Sequence, residues 1–159
     1  MPTQAPTPAQ VDPLSSPIRQ IDHLLAVYNE SHTHPTNELI HFVAVPMIVF
    51  SLIGVLQWLH PNLALIAIAG SIVYYARLST VFMIVMTLSS ALMLYVVGLM
   101  APALLLPVSL GVFVGSWILQ FVGHKIEGKK PSFFEDLQYL LVGPLFVLSK
   151  LFLKLGLKW

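Results

Sequence analysis

The chain has no cysteine, which excludes disulfides, thiolate metal sites and cysteine nucleophiles, though it says nothing about compartment. Charge is also scarce. Asp, Glu, Lys and Arg make up 9% of its 159 residues, where soluble domains carry about 25%. Between Leu39 and His124 the only charged side chain is Arg77. With 57% hydrophobic residues, a chain this short cannot hide its apolar surface in one small core, so lipid must cover part of it. A net charge of +1, with no basic patch ahead of Lys125, argues against a nucleic-acid partner. Nor does a basic segment precede an apolar run at the start. MPTQAPTPAQVDPLSSP holds five prolines and reads as a disordered tail over 1–16 rather than a signal peptide.

What is present is an all-α integral membrane protein, with residues 17–159 as one helical membrane domain. The runs Leu39–Ala76 and Leu78–His124 each suit two crossings, because a bilayer core takes ~20 residues per helix. Ahead of them Pro17 opens a short helix, Ile18–Glu30, with an apolar stripe of Ile21, Leu24, Leu25 and Tyr28. Pro35 breaks the pattern, and Thr36 or Asn37 is expected to cap the next helix. The crossings fall at Leu39–Leu59 with a kink at Pro46, Leu63–Ala76, about Ser79–Met100 and about Ala103–Val122. Gly111-x-x-x-Gly115 on the fourth is a spacing for close helix packing.

Beyond Lys125 the chain turns polar. Ser132 with Glu135 reads as a capping box opening a last helix, in which Gly143-Pro144 interrupts an uncharged run too short to span. Lys150, Lys154 and Lys158 share one face, as in a helix lying on a membrane surface, and that helix could roof the site. Arg19, Arg77, Lys125, Lys129 and Lys130 fall on one side of a four-crossing bundle. The opposite loops, around His60 and Ala101, carry no charge. The positive-inside rule therefore puts the charged side in the cytoplasm.

Histidines mark that same side. His32, His34 and His41 lie where the first crossing begins, and His124 where the fourth ends. Asn37 and His41 are one turn apart on a helix, and so are Gln120 and His124, with Glu127 on the same face. His124-x-x-Glu127 reverses the Glu-x-x-His spacing of carboxylate-bridged iron bundles. Two or three histidines with a carboxylate and open positions suit non-haem Fe(II), and zinc equally. The alternative weighs as much: membrane-edge histidines also hydrogen-bond carbonyls or headgroups, the reading given to His23 and His60. His34, before a proline, reads as a loop residue, Asn37 equally as a helix cap, and Glu127 as a partner of Lys130. Trp117 and Phe121 read as bundle core.

Two motifs carry a resemblance. His32-x-x-x-x-Asn37-x-x-x-His41-x-x-x-x-Pro46 and Trp117-x-x-Gln120-Phe121-x-Gly123-His124-x-x-Glu127-x-x-x-Pro131 resemble the small membrane-bound 2-hydroxy-fatty-acid dioxygenases, over about residues 18–150. The resemblance implies Fe(II)-dependent α-oxidation, in which molecular oxygen shortens a 2-hydroxy fatty acid by one carbon. In eukaryotic members this serves phytosphingosine breakdown at the endoplasmic reticulum. It implies iron ligation by His32, His41 and His124, with Asn37 and Glu127 as supporting site residues. His34 falls where the family carries other residue types and receives no role. No 2-oxoglutarate-binding pattern is evident, so the substrate is expected to supply the electrons. Two rivals stand beside this reading. One is a small membrane scaffold or transporter, which predicts no bound transition metal. The other is a diiron lipid desaturase, whose roughly eight histidines in several boxes this chain lacks.

Overall fold

A computed structural model describes residues 19–128 and 139–159, and among them there are six helices and no strand. The Pro-rich tail, the Ser132/Glu135 capping box and Lys129, Lys130 and Pro131 lie outside the described residues. The helices are α1 (Gln20–Asn29), α2 (Pro35–Leu59), α3 (Pro61–Leu78), α4 (Thr80–Gly98), α5 (Pro102–Glu127) and α6 (Val142–Leu155). Helices α2 to α5, of 18 to 26 residues, are long and apolar enough to cross a membrane. At 1.5 Å per residue the shortest reaches ~27 Å, close to the thickness of a hydrocarbon core. Their outward residues are large and apolar: Leu39, Ile66, Leu88, Leu92 and Ile118 are each more than half exposed, as a lipid-facing surface requires.

The bundle has two distinct ends. At one, Ile53, Ala64, Val97 and Leu105 bring together the end of α2, the start of α3, the end of α4 and the start of α5. Trp58 and Tyr95 stand exposed at this end, where aromatic rings suit the membrane boundary. At the other end, Ile21, Leu25 and Tyr28 of α1 pack with Tyr75 and Phe82 of the α3–α4 turn and Phe146 and Phe152 of α6. The spacing of Ile21, Leu25 and Tyr28 explains why α1 exists: they fall on one face, and that face is buried.

Helices α2 and α5 run antiparallel and pack most closely. Their backbones meet at two glycines: a Cβ on Gly54 would overlap Ser109 Oγ, and one on Gly123 would overlap Asn37 Oδ1. Those contacts join the end of α2 to the start of α5, and the start of α2 to the end of α5. The expected Gly111-x-x-x-Gly115 contact is not made. Both glycines are exposed, and none of the described residues comes within 4 Å of a Cβ on either. The one-turn spacing is real, but it lies on an exposed face.

Three local expectations are also revised. The first membrane helix starts at Pro35 and is capped by His34, whose Nδ1 accepts from Thr36 N–H at 3.1 Å, rather than by Thr36 or Asn37. The same device starts α3, where His60 Nδ1 accepts from Asn62 N–H at 3.2 Å, ahead of Pro61. In both, proline occupies the first helical position, where its missing N–H has no partner to lose. Gly143-Pro144 opens α6 instead of interrupting it, because the first turn tolerates proline. Phe121 is more than one-third exposed and packs on Trp117 from outside the core.

Candidate metal centre

His32, His41 and His124 come together at the charged end of the bundle, from three separate places in the chain. His32 follows α1, His41 lies in the second turn of α2, and His124 in the last turn of α5. All three are buried, with His41 wholly inaccessible. Their ring centroids are 4.3 to 5.1 Å apart. One ring nitrogen from each falls within 4.8 Å of the other two.

The backbone decides which nitrogens face inward. His32 Nδ1 lies 2.7 Å from the carbonyl of Tyr28, and His41 Nδ1 lies 3.0 Å from the carbonyl of Asn37. A carbonyl only accepts, so both Nδ1 atoms donate their N–H, and in the neutral rings both Nε2 atoms keep a lone pair. Those two Nε2 atoms are 3.1 Å apart. Two lone pairs facing each other at that distance repel unless something positive lies between them. Two nitrogens held ~2.1 Å from one divalent ion, at ordinary coordination angles, are about 3.0–3.4 Å apart. The donor set therefore fits a transition metal, with the His32 and His41 rings each oriented by a carbonyl in the manner usual for ligating histidines.

The surroundings hold this geometry. Tyr28 stacks flat on His32, with centroids 4.2 Å apart and planes 2° from parallel. Phe146 of α6 lies against the same ring at 5.5 Å. Helix α6 thus closes over His32, and Lys150 ties it to α2 through Glu38 at 3.3 Å. Lys154 sits over the Phe42 ring.

Glu127 and Asn37 sit beside the cluster in a different capacity. Glu127 Oε1 accepts from Thr33 N–H at 2.9 Å and from Thr33 Oγ1 at 2.5 Å. Its Oε2 accepts from His34 N–H at 2.8 Å and Asn37 Nδ2 at 3.2 Å. Asn37 also donates to the Ser31 carbonyl at 3.3 Å. Between them these two side chains fasten the Ser31–His34 segment, which carries His32, onto the end of α5. With both oxygens engaged on that segment, the carboxylate is not directed at the three-nitrogen centre. His34 itself is exposed and serves as the α2 cap, and His23 is exposed on α1.

Spacing placed Tyr28 only in the apolar stripe of α1, and neither it nor Thr33 was marked as a site residue. The only hint was their position, one at i−4 from His32 and the other directly after it. Gln120 was placed on the His124 face, and it is buried there, its Oε1 without a hydrogen-bond partner among the described residues.

A four-crossing helical membrane protein with three converging buried histidines at one end is the class that fold and site define. Residues 18–155 match the family described as 2-hydroxy-palmitic acid dioxygenase Mpo1-like, and the chain belongs to that family. It is 34% identical over 150 residues to the 2-hydroxy-palmitic acid dioxygenase MPO1 of Saccharomyces cerevisiae, a match covering 83% of this chain and 79% of the yeast protein. No solved structure matches the chain.

Proposed function

We propose that this protein is a non-haem Fe(II) dioxygenase that converts 2-hydroxy fatty acids to fatty acids one carbon shorter by α-oxidation. The observation that carries this reading is the pair of inward-facing imidazole nitrogens at His32 and His41, 3.1 Å apart and joined by His124, in a chain of this family. His32, His41 and His124 would hold the metal. Iron suits the reaction better than zinc, because zinc has no redox chemistry to offer dioxygen. Bound there, iron would supply Lewis acidity and an electron path between substrate and dioxygen.

The overall reaction balances without another reductant. The carbinol carbon becomes the new carboxyl, the old carboxyl carbon leaves as carbon dioxide, and one dioxygen takes up the electrons both carbons lose, with water as the remaining product. The chain's own residues bind and orient. The three imidazoles form a compact donor set that would hold the metal to which the hydroxyl and carboxylate of the substrate bind. Tyr28 and Phe146 cover His32 and keep bulk water from that side. Glu127 and Asn37 hold the Ser31–His34 segment so that His32 meets His41 in register.

The histidine end carries every charged residue described, which supports a cytoplasmic site by the positive-inside rule. A substrate could then keep its acyl chain in the bilayer and present its head to the site. Residues 17–159 act as one helical domain in this reading.

Metal analysis of purified protein tests the proposal. Wild type should carry about one iron per chain and consume oxygen with 2-hydroxypalmitate, and His41→Ala or His124→Ala should lose both together while helical content persists. Retention of iron and turnover by both variants would defeat it and favour a membrane scaffold.

A further inference from the structure

Directly beneath the histidines, one helical turn further into the bundle, lies a narrow, partly open space of about 10 Å³. It is lined by Tyr28, which stacks on His32, by Val45, one turn beyond His41, and by Gln120, one turn before His124. Because α2 and α5 are antiparallel, those opposite steps along the two helices reach the same depth. Leu140 lines this space and also a second, larger cavity of about 240 Å³ between α2, α3 and α4. The walls of the second cavity are almost wholly apolar, with Val49, Leu52 and Leu56 on α2, Ser71 on α3 and Met86 and Ser90 on α4. A third space of about 100 Å³ shares Val49 and Met86 with it.

Helix α2 links these spaces in one line. His41, Val45, Val49, Leu52 and Leu56 follow each other at steps of three or four, so they share a face from the histidine centre downward. From His41 to Leu52 the rise is ~16 Å. One leaflet of a bilayer, spanned by one acyl chain of ordinary length, is ~15 Å deep. The line of spaces along this face is therefore as long as such a chain, with the histidines above one end and apolar walls below, and it is narrowest beside Gln120. At its neck lies the buried amide of Gln120, one turn before His124, whose Oε1 has no hydrogen-bond partner among the described residues.

We propose that the hydrocarbon tail of a 2-hydroxy fatty acid lies in this passage, inside the bundle. It descends from the histidine centre past Gln120 and Val45 into the cavity between α2, α3 and α4, whose depth selects chain length. This rests on the proposed function for the identity of the head group, but the path of the tail is a separate claim. The outer faces of α4 and α5 would then carry bilayer lipid only.

A 2-hydroxy acid of about sixteen carbons with a photoreactive diazirine near its terminal carbon tests it in nanodiscs of unlabelled phosphatidylcholine. Adducts should map to peptides holding Leu52, Leu56 and Met86, and excess unlabelled 2-hydroxy acid should suppress them. Adducts on the outward residues Leu88 and Ile118, or labelling of the cavity that only added phospholipid displaces, would overturn the proposal. In parallel, Ser90→Phe, which fills the cavity, should shift relative turnover about tenfold toward shorter acids, the worth of one or two buried methylenes. Leu56→Ala, which enlarges it and is the milder change, should shift it the other way. If Leu56→Ala folds and turns over acids with an unchanged length profile, the tail does not lie there. Specific labelling of the cavity without any turnover would instead retire the proposed reaction and leave the lipid-tail site standing.

Discussion

An imidazole has two nitrogens, and at His32 and His41 the backbone engages one of them. That single fact turns a cluster of polar side chains into a donor set, because the carbonyls of Tyr28 and Asn37 fix which nitrogen remains. His34 shows the contrast. It is only two residues from His32, yet its Nδ1 caps α2 and its ring is exposed. His34→Ala should remove about 1 kcal/mol of helix capping and leave iron content unchanged, as thermal melting and metal analysis would show. Glu127→Gln should do the reverse. Glutamine keeps one acceptor oxygen but turns an NH₂ toward donors that Glu127 now satisfies, either those of Thr33 or those of His34 and Asn37. The fold should survive while iron affinity, read by competition with a chelator, falls about 10–100-fold, the usual loss when a group that orients ligands is changed. Unchanged affinity would reduce Glu127 to a surface acid.

Sequence patterns predicted the helices well and their faces unevenly. Long uncharged runs reveal crossings because lipid imposes their length. The glycine pair Gly111/Gly115 had the right spacing for a helix contact and makes none among the described residues, while isolated Gly54 and Gly123 mark where α2 and α5 touch. In a lipid-covered bundle every face is apolar, so hydropathy cannot say which face meets a neighbour. Only the packed structure distinguishes them. Gly123→Ala should therefore push Asn37 out of its contacts with Ser31 and Glu127 and loosen the His32 segment. The expected outcome is a lowered melting temperature together with at least a tenfold weaker hold on iron. Gly115→Ala, facing open space, should match wild type in both measurements. Equal behaviour of the two variants would remove the α2–α5 contact from the account of the site.

Across the described residues, α1, α6 and the α3–α4 turn gather at the histidine end, and an apolar cluster of Ile53, Ala64, Val97 and Leu105 closes the far end. Absence of cysteine makes topology simple to measure. Single cysteines at Asn62 and Lys125 should label from opposite sides of sealed vesicles, with Lys125 on the cytoplasmic side. Labelling from the same side would break the four-crossing bundle. Helix α6 lies over His32 by seating Phe146 on its ring and pairing Lys150 with Glu38, but the expected three-lysine face is not formed, because the helix ends at Leu155 with Gly156 in the left-handed conformation and Lys158 lies beyond it.

Composition and spacing alone determined that the chain is a helical membrane protein, that an even number of crossings returns His124 to the side of His32 and His41, and that two motifs mark the family. Those are one-dimensional properties: hydrophobic length, charge position and parity. Tertiary structure decided what parity cannot. It separated three histidines that converge from three that cap helices or stand exposed, and it turned two ring nitrogens inward through backbone carbonyls. It directed Glu127 to a loop instead of to the centre, and it left an apolar passage beneath the site. Each of these depends on which faces of α2 and α5 meet, and in a chain apolar on every face that choice is made by close packing around two glycines.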